Sequence, residues 1–182
     1  MSAKHTFNLQ SQDKQRALPR RIIIGQQDSE PLPHVLLKVL AFILFYRPRL
    51  QFESNLDRDN IPFVPDLVEL DYELRPKFWI ECGECSLNKL HKLAVKLPDT
   101  EFWVVKPSLR EAEDLRQAMI KEQFRRDRYS ILGLDEKMFE EASSLIRSRN
   151  ELFWVNGTFD PPNMQFDFNG LWFDAPFTIL RH

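Results

Sequence analysis

A long apolar segment, Leu32 to Tyr46, constrains the fold of this chain more than any other feature. Pro31 precedes it in the manner of a helix start, and Pro48 follows it as a stop signal. Only His34 and Lys38 bring basic groups into the segment, and they lie one turn apart on one stripe. A helix that is apolar nearly all round has to be packed on most sides. The chain must therefore build a substantial core around this helix.

Length and composition indicate one globular domain spanning residues 1–182, because 43% of the residues are hydrophobic. The formal net charge is −2, so any contact with nucleic acid has to be local. The apolar run Val39–Tyr46 is too short to span a bilayer, and no signal-peptide core follows the N-terminus. We expect a soluble cytoplasmic protein without a membrane segment. Two cysteines are too few for a disulfide framework.

The segments after the apolar helix predict a sheet. β-forming residues between turn signals indicate a meander of three strands at Leu50–Ser54, Pro65–Tyr72 and Phe78–Gly83. An amphipathic helix, Leu87–Leu97, follows, and the strand Glu101–Val105 comes next, apolar on both faces like a central strand. The order helix, three strands, helix, strand predicts a mixed α/β sheet flanked by helices.

Further elements are predicted on both sides of this core. The tight-turn signal Asn169-Gly170 joins two strands of an aromatic C-terminal β segment. The other predicted elements are short strands at Thr6–Leu9 and Arg21–Ile24, helices at Leu109–Arg125 and Glu136–Arg149, and strands at Leu152–Val155, Met164–Phe168 and Leu171–Ile179.

Two acids, Asp66 and Glu81, lie on successive predicted strands that are mostly apolar. A turn centred between Glu73 and Leu74 would put them directly opposite each other, and a later turn would offset them. Two carboxylates at one place repel unless one is protonated or both bind a metal, and Mg²⁺ (or Mn²⁺) prefers such oxygen ligands. The simpler interpretation is a turn acid and a solvent-facing acid.

Other residues near these acids are further candidates. A basic group would help to orient water, and Lys89 and Lys92 lie in the first turns of the next helix, where they can equally be solvated lysines. Glu30 can add a metal ligand or simply favour the start of its helix. The alternatives to Asp66 in another register are Glu69 and Asp71, and the loop Asp57–Phe63 is a plausible flank of a cleft.

Cys82 and Cys85 form a C-x-x-C sequence between a strand and a helix, which is a context for thiol redox chemistry. The motif follows a β meander rather than an opening β-α-β unit, which argues against that chemistry. With His91 the two cysteines would supply three zinc ligands but no fourth. An inert thiol pair is the favoured interpretation.

The ordered segments around these residues resemble the YaeQ family. The resemblance rests on His34 to Phe42, Arg49 to Phe52, Pro65-Asp66-Leu67 and Trp79 to Gly83, and on the aromatic ending from Leu152 to Asp174. It covers most of the chain, and it depends on the combination of short motifs in this order.

The resemblance implies a restriction-endonuclease-like αβββαβ core of the PD-(D/E)XK superfamily, with an aromatic C-terminal β extension. The metal ligands would be Asp66 and Glu81, with Glu30 as an equivalent of the acid on the first core helix. Gly83 stands where the catalytic lysine is expected. Lys89 or Lys92, on the following helix, would have to replace that lysine.

Two functions follow as expectations. The first is a Mg²⁺-dependent phosphodiesterase, endo- or exonuclease, that acts on DNA or RNA. The second is a non-catalytic adaptor on the same fold, which binds a protein partner through an aromatic β surface near Trp154, Trp172 and Phe173. Gly83 and the lack of a net basic face favour the second function, and the paired acids favour the first.

Overall fold

A computed structural model describes residues 3–53 and 61–182. The chain divides into two compact units. The first unit consists of Met1–Tyr46 and Leu134–Thr178, and the second consists of Arg47–Gly133 and Ile179–His182. Most of the predicted loop Asp57–Phe63 lies outside the described residues.

The elements follow in chain order. They are β1 (Ala3–Ser11), β2 (Arg21–Gln26), α1 (Leu32–Leu44), β3 (Gln51–Phe52), β4 (Leu67–Leu70), β5 (Pro76–Cys82), α2 (Leu87–Lys96), β6 (Glu101–Lys106), α3 (Leu109–Lys121), β7 (Tyr129–Gly133), α4 (Glu136–Ser143), β8 (Arg149–Phe159), β9 (Pro162–Phe168), β10 (Leu171–Pro176) and β11 (Thr178–Arg181).

The first unit contains a five-stranded mixed sheet with strand order β10-β9-β8-β1-β2. β1 pairs antiparallel with β2 and parallel with β8. The hairpin between β9 and β10 turns at Asn169 and Gly170, whose φ angles are 51° and 89°. These positive angles are those of the predicted tight turn, so the sequence signal is confirmed.

Aromatic packing fills one face of this sheet. The ring centroids of Phe7 and Phe168 are 6.3 Å apart, and those of Phe166 and Phe173 are 5.2 Å apart. In α1, every residue from Val35 to Leu44 is buried, as expected for a helix that is apolar nearly all round. The prediction that this helix is packed on most sides is confirmed.

The second unit contains a six-stranded mixed sheet with strand order β11-β7-β6-β5-β4-β3. β3, β4 and β5 form the predicted antiparallel meander, and β5, β6 and β7 run parallel. Parallel neighbours need crossover connections. Here α2 joins β5 to β6, and α3 joins β6 to β7.

One face of the second-unit sheet packs against α2 and α3. The residues of this core include Val68, Trp79, Leu90, Phe102 and Leu115. Each helix begins at a serine whose hydroxyl accepts a backbone N–H of the first turn. These caps set the positions at which the two helices leave the end of the sheet.

The structure corrects three predictions. Two mixed sheets replace the single predicted one, because the N-terminal and C-terminal strands pair with each other. The strand Tyr129–Gly133, wholly buried, was not predicted, and α4 ends at Ser143 rather than Arg149, where β8 begins.

In the described part of the chain, no helix is both long and apolar enough to cross a membrane.

Candidate functional site

The two candidate carboxylates lie at the same level of the second-unit sheet. β4 and β5 pair with Leu67 opposite Ile80, so the next step of this register sets Asp66 opposite Glu81. The backbone N–H of Cys82 donates a hydrogen bond of 2.7 Å to Asp66 Oδ2. This contact fixes the Asp66 carboxylate beside the end of β5.

Glu81 is the more buried of the two acids, with 5% of its side chain exposed. Its Oε1 accepts a hydrogen bond of 2.8 Å from Trp79 Nε1 and lies 2.9 Å from Lys89 Nζ. Trp79 is two residues earlier on the same strand, and therefore on the same face as Glu81. A buried acid thus has a neutral donor and a cation on the same oxygen.

The pKa of Glu81 lies above its usual value. Burial is the largest cause, and the negative charge of Asp66 adds to it, while Lys89 and Trp79 favour the ionised form without cancelling the shift. Burial and the Asp66 charge therefore make the ionised form of Glu81 less favourable than usual. A divalent cation beside the two carboxylates would favour the ionised form.

Lys89 and Lys92 differ in their surroundings although they are on the same helix. Lys89, in the first turn of α2, contacts Glu81, and its ammonium lies 5.6 Å from the ring centroid of Phe63. Phe63 belongs to the described end of the loop that was expected to flank the cleft. Lys92 is exposed. The structure thus brings Lys89 to the carboxylates and leaves Lys92 on the solvated side of α2.

The alternative acids Glu69 and Asp71 have other contacts. Glu69 is three residues from Asp66, so strand alternation puts it on the opposite face, where Lys77 Nζ lies 2.9 Å from its carboxylate. Asp71 accepts hydrogen bonds from two backbone N–H groups of the turn after β4. The geometry therefore favours Asp66 as the partner of Glu81.

Glu30 belongs to the first unit, just before α1. Lys38 Nζ lies 2.6 Å from its carboxylate, and His34 Nδ1 lies 2.9 Å from the same oxygen. Burial raises the pKa of Glu30, but the hydrogen bonds from Lys38 and the Gln27 N–H, with the charges of Lys38 and His34, outweigh it and hold that pKa below its usual value. These contacts favour a structural ion pair over a metal ligand.

Both cysteines are free thiols. Burial, as the largest cause, raises the pKa of Cys85 to about 11, and Cys82 is buried in β5. A thiol with so high a pKa is a poor nucleophile at neutral pH. His91, the third residue of the zinc alternative, is exposed and packs against Phe124. The inert-thiol interpretation fits these surroundings best.

The aromatic surface expected to bind a protein partner is largely a core. Trp154 and Phe173 are buried on the packed face of the first-unit sheet. Trp172, 51% exposed, lies on the other face of that sheet. The expectation is therefore wrong for Trp154 and Phe173, because alternation along β8 and β10 points both side chains inward.

A metal ion fits the chemistry of the Asp66 and Glu81 pair. Within residues 3–53 and 61–182, no group of three or more His, Cys, Asp and Glu side chains is arranged to hold an ion. Mg²⁺, however, commonly takes one or two carboxylates and completes its shell with water and phosphate oxygens. Two hard oxygen ligands, one on a buried acid of raised pKa, suit that mode.

A cavity of about 460 Å³ lies elsewhere in the second unit. Its lining includes Thr100, Arg128, Tyr129 and Arg181, at the starts of β6 and β7. Glu81 pairs with Val104 near the other end of β6. The cavity is therefore at the opposite end of these strands from the carboxylates, and sequence patterns gave no sign of it.

Comparison with known proteins gives one consistent result. A family model described as YaeQ protein matches residues 2–155. The chain is similar to the solved YaeQ protein from Xanthomonas axonopodis pv. citri, with a TM-score of 0.78, 21% identity, and coverage of 100% of this chain and 99% of that one. It is also similar to the solved YaeQ protein from Pseudomonas syringae, with a TM-score of 0.78, 17% identity, and coverage of 100% of this chain and 97% of that one. No curated protein matches the chain.

Proposed function

This chain belongs to the YaeQ family, and we propose that it is a Mg²⁺- or Mn²⁺-dependent nuclease-like protein that binds or hydrolyses nucleic-acid phosphodiesters. One observation carries the proposal: Glu81 is buried beside Asp66 with a raised pKa, and Lys89 lies 2.9 Å from its carboxylate. Perturbed acids with a nearby cation are typical of sites that bind metals or perform acid–base chemistry.

The proposal includes membership of the PD-(D/E)XK superfamily. Asp66 precedes one strand, Glu81 lies on its antiparallel neighbour, and a helix with a lysine follows, in the order that the motif requires. Gly83 departs from the motif at the lysine position. The contact between Lys89 and Glu81 supports a relocated lysine.

Each residue would have a distinct part in the reaction. Asp66 and Glu81 would hold the ion, which supplies charge to the phosphoryl oxygen and lowers the pKa of bound water. The hydrogen bond from the Cys82 N–H keeps Asp66 in place. Lys89 would orient the water and offset negative charge as the phosphodiester is attacked. Lys92 remains a less favoured substitute, because it is exposed.

A cleavage assay tests the proposal. Single- and double-stranded DNA and RNA are incubated with the protein in Mg²⁺ or Mn²⁺. We expect Asp66→Asn and Glu81→Gln to lower the cleavage rate by about 100-fold or more, because the ion is lost. Glu69→Gln is the matched control, since it removes a buried acid from the opposite face of the sheet. Equal rates for all variants would contradict the assignment.

A second comparison tests the lysine. Lys89→Met should lower the rate by about tenfold to 100-fold, with Lys92→Met near wild type. Metal-dependent binding of nucleic acid without cleavage would replace the enzyme by a non-catalytic binding protein on the same fold. The absence of both binding and cleavage would favour the non-catalytic adaptor.

A further inference from the structure

Lys106 lies on the strand beside Gly83, where the family motif expects a lysine. In the parallel pairing of β5 with β6, Val105 is the partner of Cys82. The Gly83 N–H continues this pairing and donates a hydrogen bond of 2.9 Å to the Val105 carbonyl. Lys106 is therefore the β6 residue at the level of Gly83.

The side chain of Lys106 leaves β6 on the same face as Glu81. Glu81 is the partner of Val104, and residues two apart on a strand share a face. Lys106 is 8% exposed, and its Nζ donates a hydrogen bond of 2.8 Å to the carbonyl of Gly83. Because burying an ammonium is costly, its place at the end of the strand needs a reason.

The thiol of Cys85 shows that Lys106 shares the electrostatic surroundings of the carboxylates. After burial, the charge of Lys106 is the largest influence on the pKa of Cys85, and it lowers that pKa. The charges of Glu81, Lys89 and Asp66 act on the same thiol. Two cations and two anions therefore surround one side chain.

We propose that Lys106, at the end of β6 beside Gly83, is a phosphate-binding cation of the site, in addition to Lys89, which orients the water. The inference rests on the proposed function. An ammonium group has three N–H donors, and within residues 3–53 and 61–182 the structure records one acceptor for it, the Gly83 carbonyl. The other donors are available to a non-bridging phosphate oxygen. Lys89 keeps its contact with Glu81.

The experiment measures binding of a fluorescently labelled single-stranded oligodeoxythymidine in Ca²⁺ and, at low salt, in EDTA. We expect Lys106→Met to bind about tenfold or more weakly, because a charge-assisted hydrogen bond to phosphate is lost. Lys106→Gln keeps a donor for the Gly83 carbonyl but not the charge, and should lose as much. Lys106→Arg should recover affinity to within about threefold. The control Lys96→Met, at the exposed end of α2, should stay within about twofold.

Mn²⁺ titration separates this inference from the proposed function. If wild type and Lys106→Gln bind Mn²⁺ equally and the oligonucleotide equally, Lys106 has no phosphate role and the metal site stands. If wild type binds no Mn²⁺, the proposed function fails, and the EDTA series alone decides: a tenfold loss supports Lys106, while unchanged or absent binding overturns it. Parallel loss of Mn²⁺ affinity and thermal stability in Lys106→Gln would show a structural role and also overturn it.

Discussion

Two buried Glu–Lys pairs in this protein have opposite electrostatic characters. Glu30 with Lys38, in the first unit, and Glu81 with Lys89, in the second, have similarly buried carboxylates, 7% and 5% exposed. Yet the pKa of Glu30 is lowered and that of Glu81 is raised. A Glu–Lys contact alone therefore does not identify a functional site.

The neighbours of each carboxylate explain the difference. Glu30 has the buried ammonium of Lys38, a histidine and a backbone N–H around it, and no second acid of residues 3–53 and 61–182 is among the causes of its pKa shift. Glu81 has Asp66 beside it and a lysine that is 22% exposed. The surroundings of Glu30 therefore favour its ionised form, whereas burial and Asp66 make the ionised form of Glu81 unfavourable. A divalent cation beside Asp66 and Glu81 would favour the ionised form.

Removing the lysines should give the largest contrast. Lys38→Met leaves Glu30 buried without its main counter-ion and should cost about 3–5 kcal/mol of unfolding free energy. Lys89→Met should cost about 1 kcal/mol, because burial and Asp66 already raise the pKa of Glu81 and the lysine is partly hydrated. Urea unfolding at pH 7 measures both. Equal losses would erase the distinction between the pairs.

The pH dependence of stability should differ in sign. With its pKa lowered, Glu30 stabilises the fold above the unfolded pKa, and that contribution is lost as the pH falls through the folded pKa. With its pKa raised, Glu81 gives stability that is present at low pH and lost as the pH rises from the unfolded value through the folded pKa.

Two neutral variants make this visible. Glu30→Gln should be less stable than wild type at pH 7 by about 2 kcal/mol, and the gap should close in acid. Glu81→Gln should be more stable at pH 8 by about 1 kcal/mol, and this gap should also narrow as the pH falls toward 4.5. Thermal unfolding across pH, without divalent ions, gives both curves. Gaps of the same sign would refute the assigned pKa directions.

Cys85 should report the charge of the second pair by a smaller effect. With a pKa of about 11, its thiolate is scarce at neutral pH, and alkylation should be slow. Glu81→Gln removes a charge that raises this pKa, so iodoacetamide should react about two- to fivefold faster in a Cys82→Ser background. Glu69→Gln, on the opposite face, should leave the rate unchanged; an equal acceleration would point to loosened packing.

The sequence predicts several local features of the chain well. The apolar helix α1 of the first unit and the meander of the second unit follow from periodicity and turn signals. For Asp66 and Glu81 the sequence left two registers open, and the pairing of Leu67 with Ile80 gives the one in which they are opposite. The sequence indicates both Lys89 and Lys92 as candidates. Only the packing of α2 shows that Lys89 contacts Glu81 whereas Lys92 is exposed to solvent. Trp79 could have been found as well, because alternation places it on the face of Glu81.

The failures concern pairing over long sequence distances. β1 pairs with β8, so Phe7 lies beside Asn150, and no local pattern indicates such a parallel contact. Hence two sheets were predicted as one. β7 is short and lies between charged segments, so the sequence predicts no strand between the two helices that flank it. The sequence does not indicate Lys106 either, because this lysine comes close to Gly83 only through the pairing of β6 with β5.

Mn²⁺ titration followed by electron paramagnetic resonance tests the central claim most directly, with Glu30→Gln as the matched control for Glu81→Gln. We predict that wild type and Glu30→Gln bind Mn²⁺ with similar affinity, while Asp66→Asn and Glu81→Gln bind about tenfold or more weakly, because each loses a carboxylate ligand. Affinities that are the same in wild type and Glu81→Gln would show that the carboxylates of Asp66 and Glu81 do not hold a cation.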